Sequence, residues 1–184
     1  PDHLTLLGFA AMFLAGVSYA LAAGWPPALF AVNLCLAVNW FGDSLDGTLA
    51  RARNKQRPRY GFYVDHMVDT FGALFLAGGL ALSGYISVGV AIALLVGFYM
   101  LSINVYLATY TRGTFRLSFW KLSPTEMRIL LALGNAVAFA RPQVLGGRYL
   151  FFDVAGVIAV AVMAVMLVVS VVANTRALFR MERV

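Results

Sequence analysis

Two long stretches without a charged side chain constrain this chain more than any other feature. Residues 4–42 and 70–111 contain no Asp, Glu, Lys or Arg, and 61% of all residues are hydrophobic. A membrane-spanning helix needs roughly 20 consecutive apolar residues, and a soluble core of this size has no use for such lengths. The sequence therefore predicts an all-α, polytopic integral membrane protein and excludes an ordinary soluble enzyme.

Breaks in the apolar sequence predict about six transmembrane helices, which form a single catalytic domain over residues 1–184. Helix-breaking residues and charged segments separate the helices. The expected spans cover about 4–24, 28–51, 60–83, 86–110, 125–140 and 149–175. The chain opens at Pro1, directly before the first span, so we expect upstream residues to be missing.

The basic residues are distributed unevenly among the loops. Of the 14 Lys and Arg residues, five lie at 51–59, where the second expected span ends, four at 112–128, after the fourth span, and three at 176–183, after the sixth. Only Arg141 and Arg148 lie elsewhere. This asymmetry predicts that those segments and both termini face the cytoplasm, in the inner (plasma) membrane of a bacterium or archaeon. The net charge of +6 lies between apolar spans, which favours contact with membrane lipid over nucleic acid.

Four of the eight acidic residues lie between the two uncharged stretches, on either side of a basic loop. Asp43 and Asp46 are three residues apart and Asp65 and Asp69 are four apart, so each pair shares one face of a helix. The short loop predicts that the two helices are antiparallel neighbours. Two carboxylates 4 Å apart would repel by roughly 4 kcal/mol at an effective dielectric near 20. A divalent cation would relieve this repulsion, and an all-oxygen site suits Mg²⁺, Mn²⁺ or Ca²⁺ rather than Zn²⁺.

Two glycines lie on the acidic faces, Gly47 in the first helix and Gly61 in the second. Glycine costs about 1 kcal/mol relative to alanine within a helix. We therefore expect both glycines to let a ligand approach the backbone closely. Pairing of the acidic residues with nearby arginines, the simpler interpretation, would not require them.

The pattern Asp-x-x-Asp-Gly-x-x-Ala-Arg, a short spacer and Gly-x-x-x-Asp-x-x-x-Asp resembles the signature of the CDP-alcohol phosphotransferase family. All its defining positions are present: Asp43, Asp46, Gly47, Ala50, Arg51, Gly61, Asp65 and Asp69. The resemblance implies transfer of a phosphatidyl or phosphoalcohol group from a CDP-linked donor, CDP-diacylglycerol or a CDP-alcohol, to an acceptor hydroxyl, with release of CMP. It also implies Mg²⁺ or Mn²⁺, as two ions, and a homodimer.

The resemblance also implies a role for each motif residue. Asp43, Asp46 and Asp65 would hold one metal ion, and Asp43, Asp65 and Asp69 the second. Asp69 is the expected general base, which takes the proton of the acceptor hydroxyl. Thr5 is added because the start of the chain resembles the family's Pro-Asn-x-x-Thr, with Asp2 in place of Asn. The expected nucleotide and diphosphate contacts are Gly47, Ala50, Arg51, Gly61 and Thr5.

A basic segment after the fourth span is a candidate anion site for a phosphorylated acceptor. Its four residues are Arg112, Arg116, Lys121 and Arg128. Ordinary positive charge at the cytoplasmic face is the alternative, and the sequence leaves both open. The sequence does not identify the acceptor, since inositol phosphate, glycerol phosphate, serine and choline-type alcohols all suit the same core.

Two other functions also use carboxylates within a membrane. An intramembrane prenyltransferase holds a diphosphate with aspartates and Mg²⁺, but several helices separate its acidic motifs, whereas here they flank one loop. A transport protein for divalent cations also places acidic residues in its spans. The glycines and Arg51 are unnecessary for such a protein, because a neighbouring arginine weakens cation binding.

Overall fold

The computed structural model describes residues 2–53, 57–112 and 124–182, and 86% of them lie in helices. The all-α fold expected from the sequence is confirmed. Six helices occur within the described ranges: α1 (Asp2–Leu21), α2 (Ala28–Ala52), α3 (Pro58–Leu82), α4 (Val88–Arg112), α5 (Pro124–Ala140) and α6 (Phe151–Met181).

A short antiparallel hairpin, which the sequence did not predict, connects α5 to α6. Its strands are β1 (Gln143–Val144) and β2 (Tyr149–Leu150). Leu145, Gly146 and Gly147 follow β1, and all have positive φ. Glycine adopts this conformation readily, and leucine does so only at a cost.

Four of the six helices, α1, α2, α4 and α6, are long and apolar enough to cross a membrane. The other two do not meet the same criteria, since α5 has 17 residues and the N-terminal half of α3 is polar. The six expected helices are therefore present, but length and composition support membrane crossing for only four of them. This set of apolar helices is consistent with an integral membrane protein.

Each helix packs mainly against two others, in the ring order α1, α2, α5, α6, α4, α3 and back to α1. The expectation that α2 and α3 are direct neighbours is thus corrected, because both pack against α1, which separates them in the ring. Small residues permit this arrangement. A Cβ on Gly42 of α2 would lie 2.7 Å from the Leu4 carbonyl oxygen of α1, so the two backbones approach more closely than larger residues would allow.

The closely packed core lies at the end of the bundle away from the acidic residues. Buried side chains come from the C-terminal halves of α1, α3 and α5, from the N-terminal halves of α2, α4 and α6, and from the loops between them. They are Ala15, Tyr19, Ala22, Ala28, Leu29, Val32, Leu36, Leu80, Ile86, Ala91, Ala138 and Phe152. This packing fixes the helices at one end of the bundle. A cavity lies at the opposite end, where α1 and α3 begin and α2 ends.

Replacing Gly79 with alanine should destabilise the α1–α3 contact. A Cβ on Gly79 would overlap the Gly16 backbone, whereas a Cβ on the adjacent Gly78 would have no atom within 4 Å. Overpacking typically costs about 1–3 kcal/mol, which for a chain of this size lowers Tm by several degrees. Thermal unfolding in detergent should therefore show a lower Tm for Gly79→Ala and an unchanged or higher Tm for Gly78→Ala. Equal Tm values for the two variants would contradict this packing.

Candidate active site

A cavity of about 380 Å³ lies where α1 and α3 begin and α2 ends. Small-molecule sites typically occupy about 300–1,000 Å³, so the cavity can hold part of a nucleotide. Its lining residues are Asp2, Thr5, Leu6, Phe9, Asp46, Gly47, Ala50, Arg57, Tyr60, Gly61, Val64, Asp65 and Val68. The residues among them that the sequence predicted as metal or nucleotide contacts are Thr5, Asp46, Gly47, Ala50, Gly61 and Asp65.

Helical spacing explains why residues of both halves of the motif reach one cavity. Ala50 lies four residues after Asp46 and three after Gly47 on α2, so all three reach the same face. Gly61 and Asp65 are four residues apart and share one face of α3 in the same way. Both faces turn towards the first turns of α1, so α1 completes the cavity between them.

A hydrogen bond joins α1 to the acidic end of α2. Thr5 Oγ1 donates to Asp46 Oδ2 at 3.1 Å, and this contact is partly buried. The bond brings a residue expected from the start of the chain and one expected from the motif into direct contact. It also restricts the rotation of the Asp46 carboxylate at the cavity wall.

The two motif glycines are not required by helix packing. A Cβ on Gly61 would have no atom within 4 Å, and a Cβ on Gly47 would lie 3.6 Å from the guanidinium of Arg51, which is ordinary contact. Gly16 and Gly79 differ, because a Cβ at either position would overlap backbone atoms. Gly47 and Gly61 therefore keep the cavity open rather than hold the helices together.

The other two motif carboxylates lie one helical turn further from this end of the bundle, since Asp43 precedes Asp46 in α2 and Asp69 follows Asp65 in α3, and both residues are exposed. Neither lines the cavity. Asp65 nevertheless interacts electrostatically with Asp46 and Asp43, and Asp69 with Asp43 and Asp65. The structure thus brings all four negative charges into one region, at a distance at which they repel one another.

The described positions of the motif side chains do not form a metal site, whereas the chemistry of their donor atoms suits one. Within the described ranges, no group of three or more His, Cys, Asp or Glu side chains is arranged so that it could hold an ion. The chemistry of the four motif residues fits a hard divalent cation, because all their donors are carboxylate oxygens. A ligand set would require these carboxylates to turn towards one another from the described positions.

Asp43 is bound by α5 through Arg128. Arg128 Nη2 donates to Asp43 Oδ2 at 2.9 Å, and Arg128 Nε donates to Asn39 Oδ1 at 2.9 Å. The side chain of Arg128 therefore points into the bundle, next to the acidic residues. The sequence signal for Asn39 is limited to its polar side chain within an apolar span.

The remaining predicted residues are not brought together within the described part of the chain. Arg51 Nη2 donates to Thr48 Oγ1 at 3.2 Å on the exposed side of α2. Arg112 Nη1 donates to Asn174 Oδ1 of α6 at 2.7 Å. Arg116 and Lys121 lie outside the described residues, so an acceptor site made of all four basic side chains stays a prediction.

Three residues at the mouth of the cavity were missed in the analysis of the sequence. Arg57 Nη2 contacts both carboxylate oxygens of Asp2, at 2.5 and 2.6 Å. The Arg57 guanidinium lies over the Tyr60 ring, 4.2 Å from its centroid. The hydrogen bond to Asp2 raises the pKa of Arg57, so the guanidinium stays charged and forms an ion pair with Asp2. Arg57 lies in the spacer between the two halves of the motif, where the signature specifies no residue types, so its position did not identify it as a site residue.

Comparison with known proteins gives one informative match. No family model and no solved structure matches the chain. The chain is 33% identical over 102 residues to an archaetidylinositol phosphate synthase of Pyrococcus horikoshii, in a region that covers 55% of this chain and 51% of that protein. The chain thus spans about half the length of this relative. Because the relative is a CDP-alcohol phosphotransferase family member, the match confirms the resemblance predicted from the motif.

Proposed function

Because the chain resembles the CDP-alcohol phosphotransferases, we propose that it moves a phosphatidyl group from CDP-diacylglycerol to an alcohol, with release of CMP. One observation carries this proposal: Asp46, Gly47, Gly61 and Asp65 meet Thr5 around one cavity of about 380 Å³. The proposed acceptor is a phosphorylated polyol. The name of the relative, which specifies an inositol phosphate product, favours inositol phosphate among such acceptors.

In the proposed reaction, the acceptor oxygen attacks the phosphorus distal to cytidine. The bond from this phosphorus to the bridging oxygen breaks, and CMP leaves with that oxygen. Asp69 takes the proton of the acceptor hydroxyl. Since Asp69 lies one turn of α3 further from the start of the helix than Asp65, the acceptor would reach the phosphorus from the side away from the mouth of the cavity, and the cytidine would lie towards the mouth.

The proposal includes divalent cations held by the four motif carboxylates. Asp43, Asp46, Asp65 and Asp69 would hold Mg²⁺ or Mn²⁺, as two ions. When bound, these ions would neutralise the diphosphate and the negative charge that develops on the leaving CMP. Donor chemistry supports this part of the proposal, together with the mutual repulsion of the carboxylates.

We also infer that the site faces the cytoplasm, in the inner (plasma) membrane of a bacterial or archaeal cell. The support is the positive charge at the acidic end of the bundle, where Arg51, Arg53, Arg57 and Arg59 lie. Cytoplasmic loops carry such an excess of basic residues. The homodimer implied by the resemblance belongs to the same proposal and has no support from contacts of this chain.

A screen of acceptors tests the proposed activity. Purified protein in detergent is incubated with CDP-diacylglycerol, Mg²⁺ and one acceptor at a time, and released CMP is measured by mass spectrometry. The panel consists of inositol phosphate, glycerol phosphate, serine and choline. We expect CMP with a phosphorylated polyol, no CMP after EDTA treatment, and recovery on addition of Mg²⁺. If no acceptor supports CMP release from this donor, the proposal is wrong.

A further inference from the structure

Arg128 is a largely buried cation in contact with the motif carboxylate Asp43. Its side chain is 14% exposed, whereas that of its partner Asp43 is 49% exposed. Burial of a guanidinium is costly unless its charge and its donors are matched. Two matched contacts, to Asp43 Oδ2 and to Asn39 Oδ1, hold Arg128 in place.

Asn39 fixes the direction of the Arg128 side chain. Asn39 is 6% exposed, and its Nδ2 donates to the Gly8 carbonyl oxygen of α1 at 3.1 Å. Both ends of the amide are thus used, and its orientation follows because one end must donate and the other must accept. The network therefore runs from α1 through Asn39 of α2 to Arg128 of α5, and returns to α2 at Asp43.

The contact between Arg128 and Asp43 engages one carboxylate oxygen. Arg128 Nη2 donates to Asp43 Oδ2 at 2.9 Å, and Asp43 Oδ1 makes no hydrogen bond within the described ranges. A carboxylate held at one oxygen by a fixed donor has a defined direction for the other oxygen. Such outer contacts orient metal ligands, and their loss typically lowers metal affinity by 10- to 100-fold.

We propose that Arg128 is a positioning residue of the active site, which holds Asp43 by Oδ2 and keeps Oδ1 for a divalent cation. The inference rests on the proposed function, because it assumes that Asp43 is a metal ligand. It assigns Arg128 a different role from the acceptor contact expected from the sequence. Asn39 acts through Arg128 and belongs to the same network.

The direction of the change in metal affinity when Arg128 is replaced distinguishes a positioning role from a purely electrostatic effect of its charge. By Coulomb's law, removal of a positive charge beside Asp43 should tighten the binding of a cation. If Arg128 positions Asp43, its removal should weaken binding instead. Lysine keeps the charge but cannot make the two-point contact of a guanidinium, so Arg128→Lys should also weaken binding.

The experiment measures Mn²⁺ affinity of the full chain in detergent, from the electron paramagnetic resonance signal of free Mn²⁺. We expect the Kd to rise about 10- to 100-fold for Arg128→Gln and to rise for Arg128→Lys. The matched control Arg141→Gln, in the loop after α5, should bind as the unsubstituted chain does. Size-exclusion profiles and Tm identify any variant that fails to fold, and the conservative lysine variant keeps the test decisive in that case.

Each outcome supports or overturns the inference. Unchanged or tighter Mn²⁺ binding by Arg128→Gln and Arg128→Lys overturns it. A rise in the acceptor KM with unchanged Mn²⁺ affinity also overturns it and favours acceptor binding by Arg128. If the unsubstituted chain does not bind Mn²⁺, or if Asp43→Asn leaves Mn²⁺ binding unchanged, the metal site of the proposed function fails as well. Loss of binding in Asp43→Asn without any effect at Arg128 overturns the positioning role alone.

Discussion

Replacing Asp69 with asparagine should abolish CMP release while the protein stays folded. The amide has the size of the carboxylate but cannot take the proton of the acceptor hydroxyl. Loss of a general base typically costs on the order of 10²–10⁴-fold in rate. Because Asp69 does not line the cavity, CDP-diacylglycerol should still bind in part. The measurements are kcat for CMP release and the affinity for CDP.

Asp153→Asn provides the matched control for this experiment. Asp153 lies in the first turn of α6, and its Oδ1 accepts a hydrogen bond from the Ser87 backbone N–H. The oxygen of an asparagine side chain can accept the same bond, so folding and activity should be retained. Turnover of Asp69→Asn near that of the unsubstituted chain would show that Asp69 is not the base.

Replacing Gly61 with leucine should block binding of the donor without loss of stability. The new side chain would enter the cavity, since a Cβ at Gly61 meets no atom within 4 Å. The nucleotide would be displaced from its position against α3, and misplacement of a substrate by about 1 Å can cost on the order of 10²-fold in rate. We expect kcat/KM for CDP-diacylglycerol to fall by at least that factor, and Tm to change little.

Gly78→Leu is the control for Gly61→Leu. Gly78 also belongs to α3, and a Cβ there also meets no atom within 4 Å, but Gly78 does not line the cavity. Both variants place the same side chain on α3, and only the one at Gly61 lies at the cavity, so a loss of activity confined to Gly61→Leu reports on the cavity. Equal activity of the two variants would mean that the donor does not bind against Gly61.

The sequence predicted the helices well because their signals are local. Spans expected at about 28–51 and 60–83 correspond to α2 at Ala28–Ala52 and α3 at Pro58–Leu82. Apolar length marks such elements, and proline and charged residues mark where they end. Asp46, Gly47, Ala50, Gly61 and Asp65 could be assigned to one site for a similar reason, since their spacing along the chain gives their helical faces. Thr5 was assigned only through the resemblance of the start of the chain to the family.

The arrangement of helices and the contacts between distant residues could not be predicted in this way. No local pattern shows that α1 lies between α2 and α3 in the ring. That position depends on close approach at small residues such as Gly42 and Gly79, which appears only when the helices are packed. The bond between Arg128 and Asp43 likewise joins residues 85 positions apart, and a charge next to an apolar span has many possible partners.

The central claim is that four carboxylates on two helices bind a diphosphate through shared cations. The positions of bound metal ions test this claim most directly. Crystals of the full chain grown with Mn²⁺ and CDP would give anomalous scattering from manganese. We expect Mn²⁺ peaks between the carboxylates of α2 and those of α3, with the diphosphate of CDP bound to them beside Gly61. Manganese elsewhere, or CDP bound outside this cavity, would contradict the account.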